Sequence, residues 1–111
     1  MEFFWYYNTT TTFVYLVKGS FIMISKDITV KNQVGLHARP ATFFIQKANE
    51  YKSGIWIEKD ERRVNAKSLL GVLSLGITRG MSVTITADGV DEEVALESLV
   101  ELINLNFAEQ K

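Results

Sequence analysis

The sequence predicts an α+β domain built as an open-faced two-layer β-sandwich, in which a four-stranded antiparallel sheet carries three helices on one face. The predicted elements follow the order β-α-β-β-α-β-α, so strands and helices do not alternate regularly, and two strands are joined directly as a hairpin. The chain of 111 residues has room for one ordinary domain, and its composition (47% hydrophobic, 23% charged) is typical of a folded globular protein.

Residues 1–22 differ from the rest of the chain. They are rich in aromatic residues, include a threonine run and carry two charged residues, Glu2 and Lys18. The stretch lacks the features of a signal peptide, and its apolar runs are shorter than the about 20 residues of a membrane span. We expect an N-terminal extension that is disordered, or leader sequence from a start codon assigned too early, with Met23 as the native start. A β-hairpin docked on the domain is the alternative, because threonine and aromatic residues favour strands.

Residues 23–111 form the predicted domain, which begins with a strand at about residues 24–31, where apolar and polar residues come to alternate. After a loop, an amphipathic helix is predicted over residues 38–49, with Pro40 in its first turn, where the missing N–H costs nothing. The i, i+3, i+4, i+7 spacing of its buried face is given by Ala41, Phe44, Ile45 and Ala48.

The middle of the chain predicts a hairpin, with strands at residues 55–59 and 62–66 joined by a turn at Asp60 and Glu61. Ser68 then caps a short helix over residues 69–75.

The last two elements are a strand over residues 82–87 and a helix that starts near Asp91. Acidic residues suit the positive end of that helix. Its buried stripe is predicted to consist of Leu96, Leu99, Val100 and Ile103.

Charge and residue counts exclude several functional classes. Twelve basic and 13 acidic residues give a net charge of -1, so no global field attracts nucleic acid or an anionic membrane. The chain has no cysteine and one histidine, which excludes disulfides, cysteine-ligated metal, thiol catalysis and two-histidine mechanisms. We therefore expect no metal, no cofactor, no direct nucleic-acid contact and no membrane insertion.

Residues 35–41 hold the strongest candidates for chemistry. His37 lies at the start of the first helix, where unpaired backbone N–H groups and the helix dipole bind anions and favour a neutral, nucleophilic imidazole. Arg39, two residues on, can offer its guanidinium to a phosphate. The pattern predicts a phosphoryl-accepting site, while the alternative makes His37 an ordinary helix-start residue and Arg39 a solvated charge. Three residues support the helix start: Gly35, Ala38 and Pro40.

Ser68 is a second candidate because a phosphate on a helix N-cap is stabilised by the helix dipole. A role as N-cap alone is the alternative.

The short helix that follows Ser68 is unusually apolar, and its five apolar residues cannot all face inward over two turns. If Val72 and Leu75 belong to the core, the others are partly exposed and point to a docking surface for partners, or one of them closes the edge of the core. The predicted docking residues are Leu69, Leu70 and Leu73, flanked on the first helix by Thr42 and Gln46.

Two segments of the chain resemble those of a known family. Residues 35–42, GLHARPAT, resemble the active-site segment of HPr, the histidine-containing phosphocarrier of the bacterial phosphotransferase system. Residues 67–76, KSLLGVLSLG, resemble its regulatory serine segment. The separation of the two segments and the order of the elements are also similar to those of the family, so the resemblance covers Met23 to about Phe107 and implies an HPr-like fold.

The resemblance implies a cytoplasmic phosphoryl carrier rather than an enzyme. His37 would be phosphorylated on Nδ1 by Enzyme I, with Arg39 as the phosphate partner, and would pass the group to sugar-specific IIA components. Ser68 would be the target of the HPr kinase/phosphorylase, and the serine-phosphorylated form would act with the catabolite control protein CcpA. The leucines at positions 69, 70 and 73 would match the docking surface for these partners.

Two points in the sequence qualify the resemblance. Val34 stands where relatives often carry a serine or asparagine able to hydrogen-bond near the histidine. The presence of His37 argues against the paralogue Crh, which lacks this histidine.

Two alternative functions stay open: a regulatory binding module on the same fold, and a phosphorelay homologue outside sugar uptake.

Overall fold

The computed structural model describes residues 3–7, 12–17 and 21–107, so the ends of the chain and parts of the N-terminal extension lie outside the described residues. The strands are β1 (Phe3–Tyr7), β2 (Thr12–Val17), β3 (Phe21–Thr29), β4 (Gly54–Lys59), β5 (Arg62–Asn65) and β6 (Ser82–Asp88). The helices are α1 (Ala38–Ala48), α2 (Leu69–Ser74) and α3 (Glu92–Asn104).

The strands form one antiparallel sheet in the order β1-β2-β3-β6-β4-β5. The predicted four-stranded sheet corresponds to strands β3-β6-β4-β5. Together with α1, α2 and α3, these strands confirm the predicted open-faced two-layer sandwich. Buried residues alternate along β4 and β6, which places one face of the sheet against the helices. Neighbouring apolar side chains meet on that face, as in the pair Ile57 and Ile85.

The sheet continues into the N-terminal extension, where β1 pairs with β2 and β2 pairs with β3. These pairings correspond to the β-hairpin alternative, and a disordered extension stays a prediction. The outer edge of β3 has backbone N–H and C=O groups without partners in the four-stranded sheet, and a neighbouring strand satisfies them. β3 begins at Phe21, before Met23, so it is longer at its start than predicted. A native start at Met23 stays a prediction.

The core lies between the sheet and the helices. On α1, Ala41, Phe44 and Ala48 are buried as predicted, whereas Ile45 is only partly covered. The predicted stripe on α3 is buried, and Ala95 and Leu102 widen it on one side. The core contributions of the strands come mainly from Ile24, Ile28, Ile55, Ile57, Val83, Ile85 and Ala87.

The start of α3 is tied to the loop between α1 and β4 by one carboxylate. Asp91 accepts hydrogen bonds from the backbone N–H groups of Lys52 (2.9 Å) and Ser53 (2.9 Å), and a short one from the Ser53 hydroxyl. The hydroxyl bond, followed by the backbone bond from Lys52, lowers the pKa of Asp91 below its ordinary value of 3.8. The sequence indicated a helix-start role for Asp91, whereas its carboxylate makes no cap hydrogen bond within α3 and links two loops instead.

Replacing Asp91 by asparagine is expected to lower the thermal midpoint at neutral pH, because an amide cannot accept all three hydrogen bonds. The folded state of the wild type binds fewer protons than the unfolded state, since the pKa of Asp91 is lowered on folding. Its stabilisation is therefore present above about pH 3.8 and is lost as the pH falls through the folded pKa. Thermal unfolding from neutral to strongly acidic pH should show the two midpoints converging in acid.

Glu92→Gln is the matched control for that series, because burial raises the pKa of Glu92 and so disfavours its charged form in the folded state. The stability contributed by Glu92 decreases as the pH rises. The thermal midpoint of Glu92→Gln should therefore increase relative to that of the wild type with rising pH. A midpoint difference for Asp91→Asn that stays constant across the pH range would contradict the assignment.

Candidate functional site

His37 is the N-cap residue of α1 and is exposed. Its backbone is extended, its carbonyl accepts the N–H of Ala41 (2.8 Å), and its side chain makes no cap hydrogen bond. Pro40 has no N–H, so the first-turn N–H groups without a partner in the helix are those of Ala38 and Arg39. An exposed imidazole that is not used for capping therefore lies beside two backbone donors, at the end of the helix that attracts anions.

The loop before His37 is fixed by close backbone packing. Gly35 has φ +64°, and a Cβ placed there would overlap the carbonyl oxygen of Ile77 and the Cα of Thr78. The same Ile77 oxygen accepts the N–H of Leu36 at 3.0 Å, and the Leu36 side chain is buried. The tight turn predicted at Gly35 is present, and it presses the loop against the segment that follows α2.

Asn32 also holds this loop, and sequence reasoning missed it. Its Nδ2 donates to the carbonyl of Gly35 at 2.8 Å, and its own backbone carbonyl accepts the N–H of Gly35 at 3.2 Å. The Asn32 side chain is buried, unlike the exposed Val34 in the same loop. An asparagine three residues before a glycine is a turn signal from which this clamp could have been predicted.

Arg39 makes no hydrogen bond to His37 within the described residues. Its side chain is exposed, and its guanidinium carbon lies 5.6 Å from the centroid of the Phe43 ring. Phe43 is partly buried and packs against the core. The sequence thus placed Arg39 at the first turn but missed Phe43, for which the i, i+4 spacing of an arginine and an aromatic residue is the available signal.

Ser68 is the N-cap of α2, as predicted. Its backbone is extended, and its Oγ accepts the N–H of Gly71 at 3.1 Å. At the other end of α2, Arg62 donates to the carbonyl of Ser74 at 2.9 Å, which suits the negative end of the helix. The short helix is thus held by hydrogen bonds at both ends.

A partly exposed apolar surface lies on α2, and we call Leu69, Leu70 and Leu73 the leucine patch. Their exposed fractions are 43%, 81% and 36%, whereas Val72 and Leu75 are in the core, which is the case in which the sequence leaves the three leucines partly exposed. The helix packs beside α1, whose Thr42 and Gln46 are exposed. The Thr42 hydroxyl donates to the carbonyl of Ala38 (2.8 Å), so its hydrogen is used within α1.

Residues 3–7, 12–17 and 21–107 contain no cluster of three or more His, Cys, Asp or Glu side chains placed to hold a metal ion. Over the same residues, no helix combines the length and the apolar character needed to cross a bilayer.

The fold and the site define a class of small open-faced sandwiches that present a histidine at a helix N-terminus beside an exposed apolar helix. A family model described as "PTS HPr component phosphorylation site" matches residues 24–104. The chain belongs to the HPr family.

Curated relatives of two kinds are similar to this chain. The HPr-like protein Crh of Halalkalibacterium halodurans is 47% identical over 81 residues, which cover 73% of this chain and 96% of the relative. The phosphocarrier protein HPr of Neisseria meningitidis is 39% identical over 87 residues, or 78% of this chain and 98% of the relative.

Solved structures of the family have the same fold. HPr-C-His from Thermoanaerobacter tengcongensis is 48% identical, with a TM-score of 0.75 over 78% of this chain and 98% of that one. The phosphocarrier protein HPr from Bacillus anthracis is 47% identical, with a TM-score of 0.72 over 73% of this chain and 96% of that one.

Proposed function

We propose that this protein is a cytoplasmic phosphocarrier that accepts a phosphoryl group from phospho-Enzyme I on His37 and passes it to sugar-specific IIA components. The observation that carries this proposal is the exposed imidazole of His37 at the N-terminus of α1, free of any cap hydrogen bond. Membership of the HPr family supports it. The protein is then an intermediate in a relay rather than an enzyme, and it needs no cofactor.

The chemistry follows from the helix start. A lone pair on the His37 ring, at Nδ1, forms a new P–N bond while the P–N bond of the donor breaks and its electron pair returns to the donor nitrogen. The backbone N–H groups of Ala38 and Arg39 lie where they can stabilise the phosphoryl oxygens, and the guanidinium of Arg39 supplies a positive charge. Gly35 and Pro40 fix the path of the chain on either side.

Incubation with purified Enzyme I and phosphoenolpyruvate tests this function. Intact mass should increase by one phosphate, and mild acid should remove the gain, since phosphohistidine is acid-labile. No gain with an Enzyme I that labels a known carrier would contradict the proposal.

A regulatory role for Ser68 is the second part of the proposal. The HPr kinase/phosphorylase would phosphorylate its Oγ, and the modified protein would bind CcpA. The position of Ser68 at the N-cap of α2 supports this, because the helix dipole stabilises an anion there. The new charge would lie next to the leucine patch and slow transfer to His37 by disturbing partner docking.

Ser68→Ala should abolish acid-stable labelling by ATP and an HPr kinase while leaving labelling by Enzyme I in place. It should also lower the unfolding free energy by about 1 kcal/mol, because the hydrogen bond to the N–H of Gly71 is lost. The matched control is Ser74→Ala, because Ser74 is the last residue of α2 whereas Ser68 caps its start. This variant should keep the ATP-dependent label. Acid-stable labelling that persists in Ser68→Ala would contradict the assignment.

Leu70→Ser tests the leucine patch as the docking surface. Leu70 is 81% exposed, so the change should barely affect stability, whereas the KM for the carrier in the Enzyme I reaction should rise by about tenfold, as for loss of an interface anchor. Val90→Ser is the matched control, because Val90 is 91% exposed and follows the end of β6 farthest from the loop that holds His37. Equal KM values for the two variants would contradict this role.

A regulatory binding module is the second candidate function, and the similarity to Crh favours it. Such a module would keep Ser68 phosphorylation and partner binding without carrying phosphate on His37. The Enzyme I experiment separates the two, because only a carrier gains an acid-labile phosphate. A phosphorelay outside sugar uptake would also label His37 but would fail to pass phosphate to sugar-specific IIA components.

A further inference from the structure

The side chains of Arg39 and Phe43 form a stacked pair on α1. The guanidinium carbon lies 5.6 Å from the ring centroid, within the range of a cation–π contact. Phe43 is partly buried and packed against the core, whereas Arg39 is exposed. The ring is therefore the fixed member of the pair, and its position decides where the guanidinium rests.

This resting place lies on α1 itself, whereas His37 caps the helix from outside it, with an extended backbone. Arg39 is the second residue of α1, and Phe43 follows it by four residues, about one turn toward the C-terminus. Arg39 and Phe43 thus share one side of the helix, and a phosphoryl group on His37 would lie at its N-terminal end. To bind that phosphoryl group, we expect the guanidinium to turn toward the N-terminus of α1 and away from the ring, so that the two interactions compete.

We propose that Phe43 is a positioning residue that competes with the phosphoryl group of His37 for the guanidinium of Arg39. The inference rests on the proposed phosphate-binding role of Arg39. In the free carrier the stack is intact, and on phosphorylation it breaks. Breaking the stack makes the phosphorylated form less stable than it would be without the ring, so the carrier gives up its phosphoryl group more readily.

The equilibrium between the carrier and Enzyme I measures this competition. Phe43→Leu removes the ring but keeps an apolar side chain, and it should shift the phosphoryl distribution toward the carrier by about two- to fivefold, the effect of one exposed cation–π contact. Phe43→Tyr keeps an aromatic ring and should show the same phosphoryl distribution as the wild type. In an Arg39→Ala background, Phe43→Leu should have no effect, because the residue acts through Arg39.

Two results in this series would overturn the proposal. One is a wild-type distribution for Phe43→Leu. The other is a shift of the same size in the Arg39→Ala background, which would assign the effect to packing alone.

Chemical phosphorylation makes the test independent of Enzyme I. With phosphoramidate, the P–N bond of the reagent breaks, a P–N bond to His37 forms and ammonia leaves. The NMR signals of the Arg39 δ-methylene should be shifted upfield by the Phe43 ring in the free protein. They should lose this shift when His37 is phosphorylated, and Phe43→Leu should lack it in both states.

The outcomes separate the two proposals. If Enzyme I fails to label the chain but phosphoramidate labels His37 and the Arg39 signals move, the competition stands and the phosphocarrier function fails. If Enzyme I labels His37 and the Arg39 signals stay at their free-state positions, the carrier stands and the competition fails. If neither Enzyme I nor phosphoramidate labels His37, no phosphoryl group competes with the ring for Arg39, and both proposals are overturned.

Discussion

Replacing His37 by alanine will abolish acid-labile phosphorylation by Enzyme I and phosphoenolpyruvate. His37 is the single histidine among the 111 residues, so no second imidazole can accept the group. Its side chain is exposed and makes no cap hydrogen bond, so the unfolding free energy should change by no more than about 0.5 kcal/mol. Intact mass before and after mild acid measures the loss, and urea unfolding shows that the variant is folded.

The matched control for His37→Ala is Gln33→Ala, an exposed position in the loop that precedes the histidine. It should be phosphorylated as fully as the wild type, because Gln33 lies before the buried Leu36 and outside the helix start. An acid-labile phosphate on His37→Ala would contradict the assignment and would place the acceptor on another kind of side chain.

The parts of the molecule that could be predicted from sequence are those set by local chemistry. The start of α1 follows from Pro40 and the apolar spacing after it, and the N-cap of α2 follows from Ser68. The hairpin turn at Asp60 and Glu61 adopts φ values of +51° and +68°, as a two-residue hairpin turn requires. Each signal lies within a few residues of its effect, so one sequence suffices to find it.

The contacts that sequence reasoning missed join segments that are distant in the chain or depend on side-chain direction. Asp91 links to Lys52 and Ser53 across almost 40 residues, and periodicity carries no information about such a pair. Phe43 lies near Arg39 in sequence, but its ring was assigned no role because the buried stripe of α1 explained the helix without it.

The N-terminal extension shows a different limit. Its threonine and aromatic residues permit a hairpin, a leader sequence or disorder, and composition alone does not decide among them. The pairing of β2 with β3 depends on the free edge of β3, which exists only once the sheet has formed. The site is independent of this choice, because His37 and Ser68 both belong to the part of the chain matched by the family model.

Gly35→Ala is expected to destabilise the protein more than any other single substitution proposed above, and it would act on the loop that positions His37. Gly35 has φ +64°, which costs a residue with a Cβ about 1–2 kcal/mol. The added Cβ would also overlap the backbone of Ile77 and Thr78, which cannot rotate away as a side chain can. Forcing the backbones apart adds about 1–3 kcal/mol, so the total loss should be about 3 kcal/mol.

Gly76→Ala separates the two causes. Gly76 has nearly the same backbone angle, φ +61°, but a Cβ there would meet nothing within 4 Å. The two variants share the strain of a positive φ and the reduced entropy of the unfolded chain, so the difference between their unfolding free energies isolates the overlap with Ile77 and Thr78. In urea unfolding at one pH, Gly35→Ala should be less stable than Gly76→Ala by about 1–3 kcal/mol.

Folded Gly35→Ala should also be labelled more slowly by Enzyme I, because the loop must move away from residues 77–78 and His37 moves with it. Equal stability of the two variants would mean that the loop accommodates the added Cβ with no loss of unfolding free energy. The claim that this backbone contact fixes the position of His37 would then be wrong.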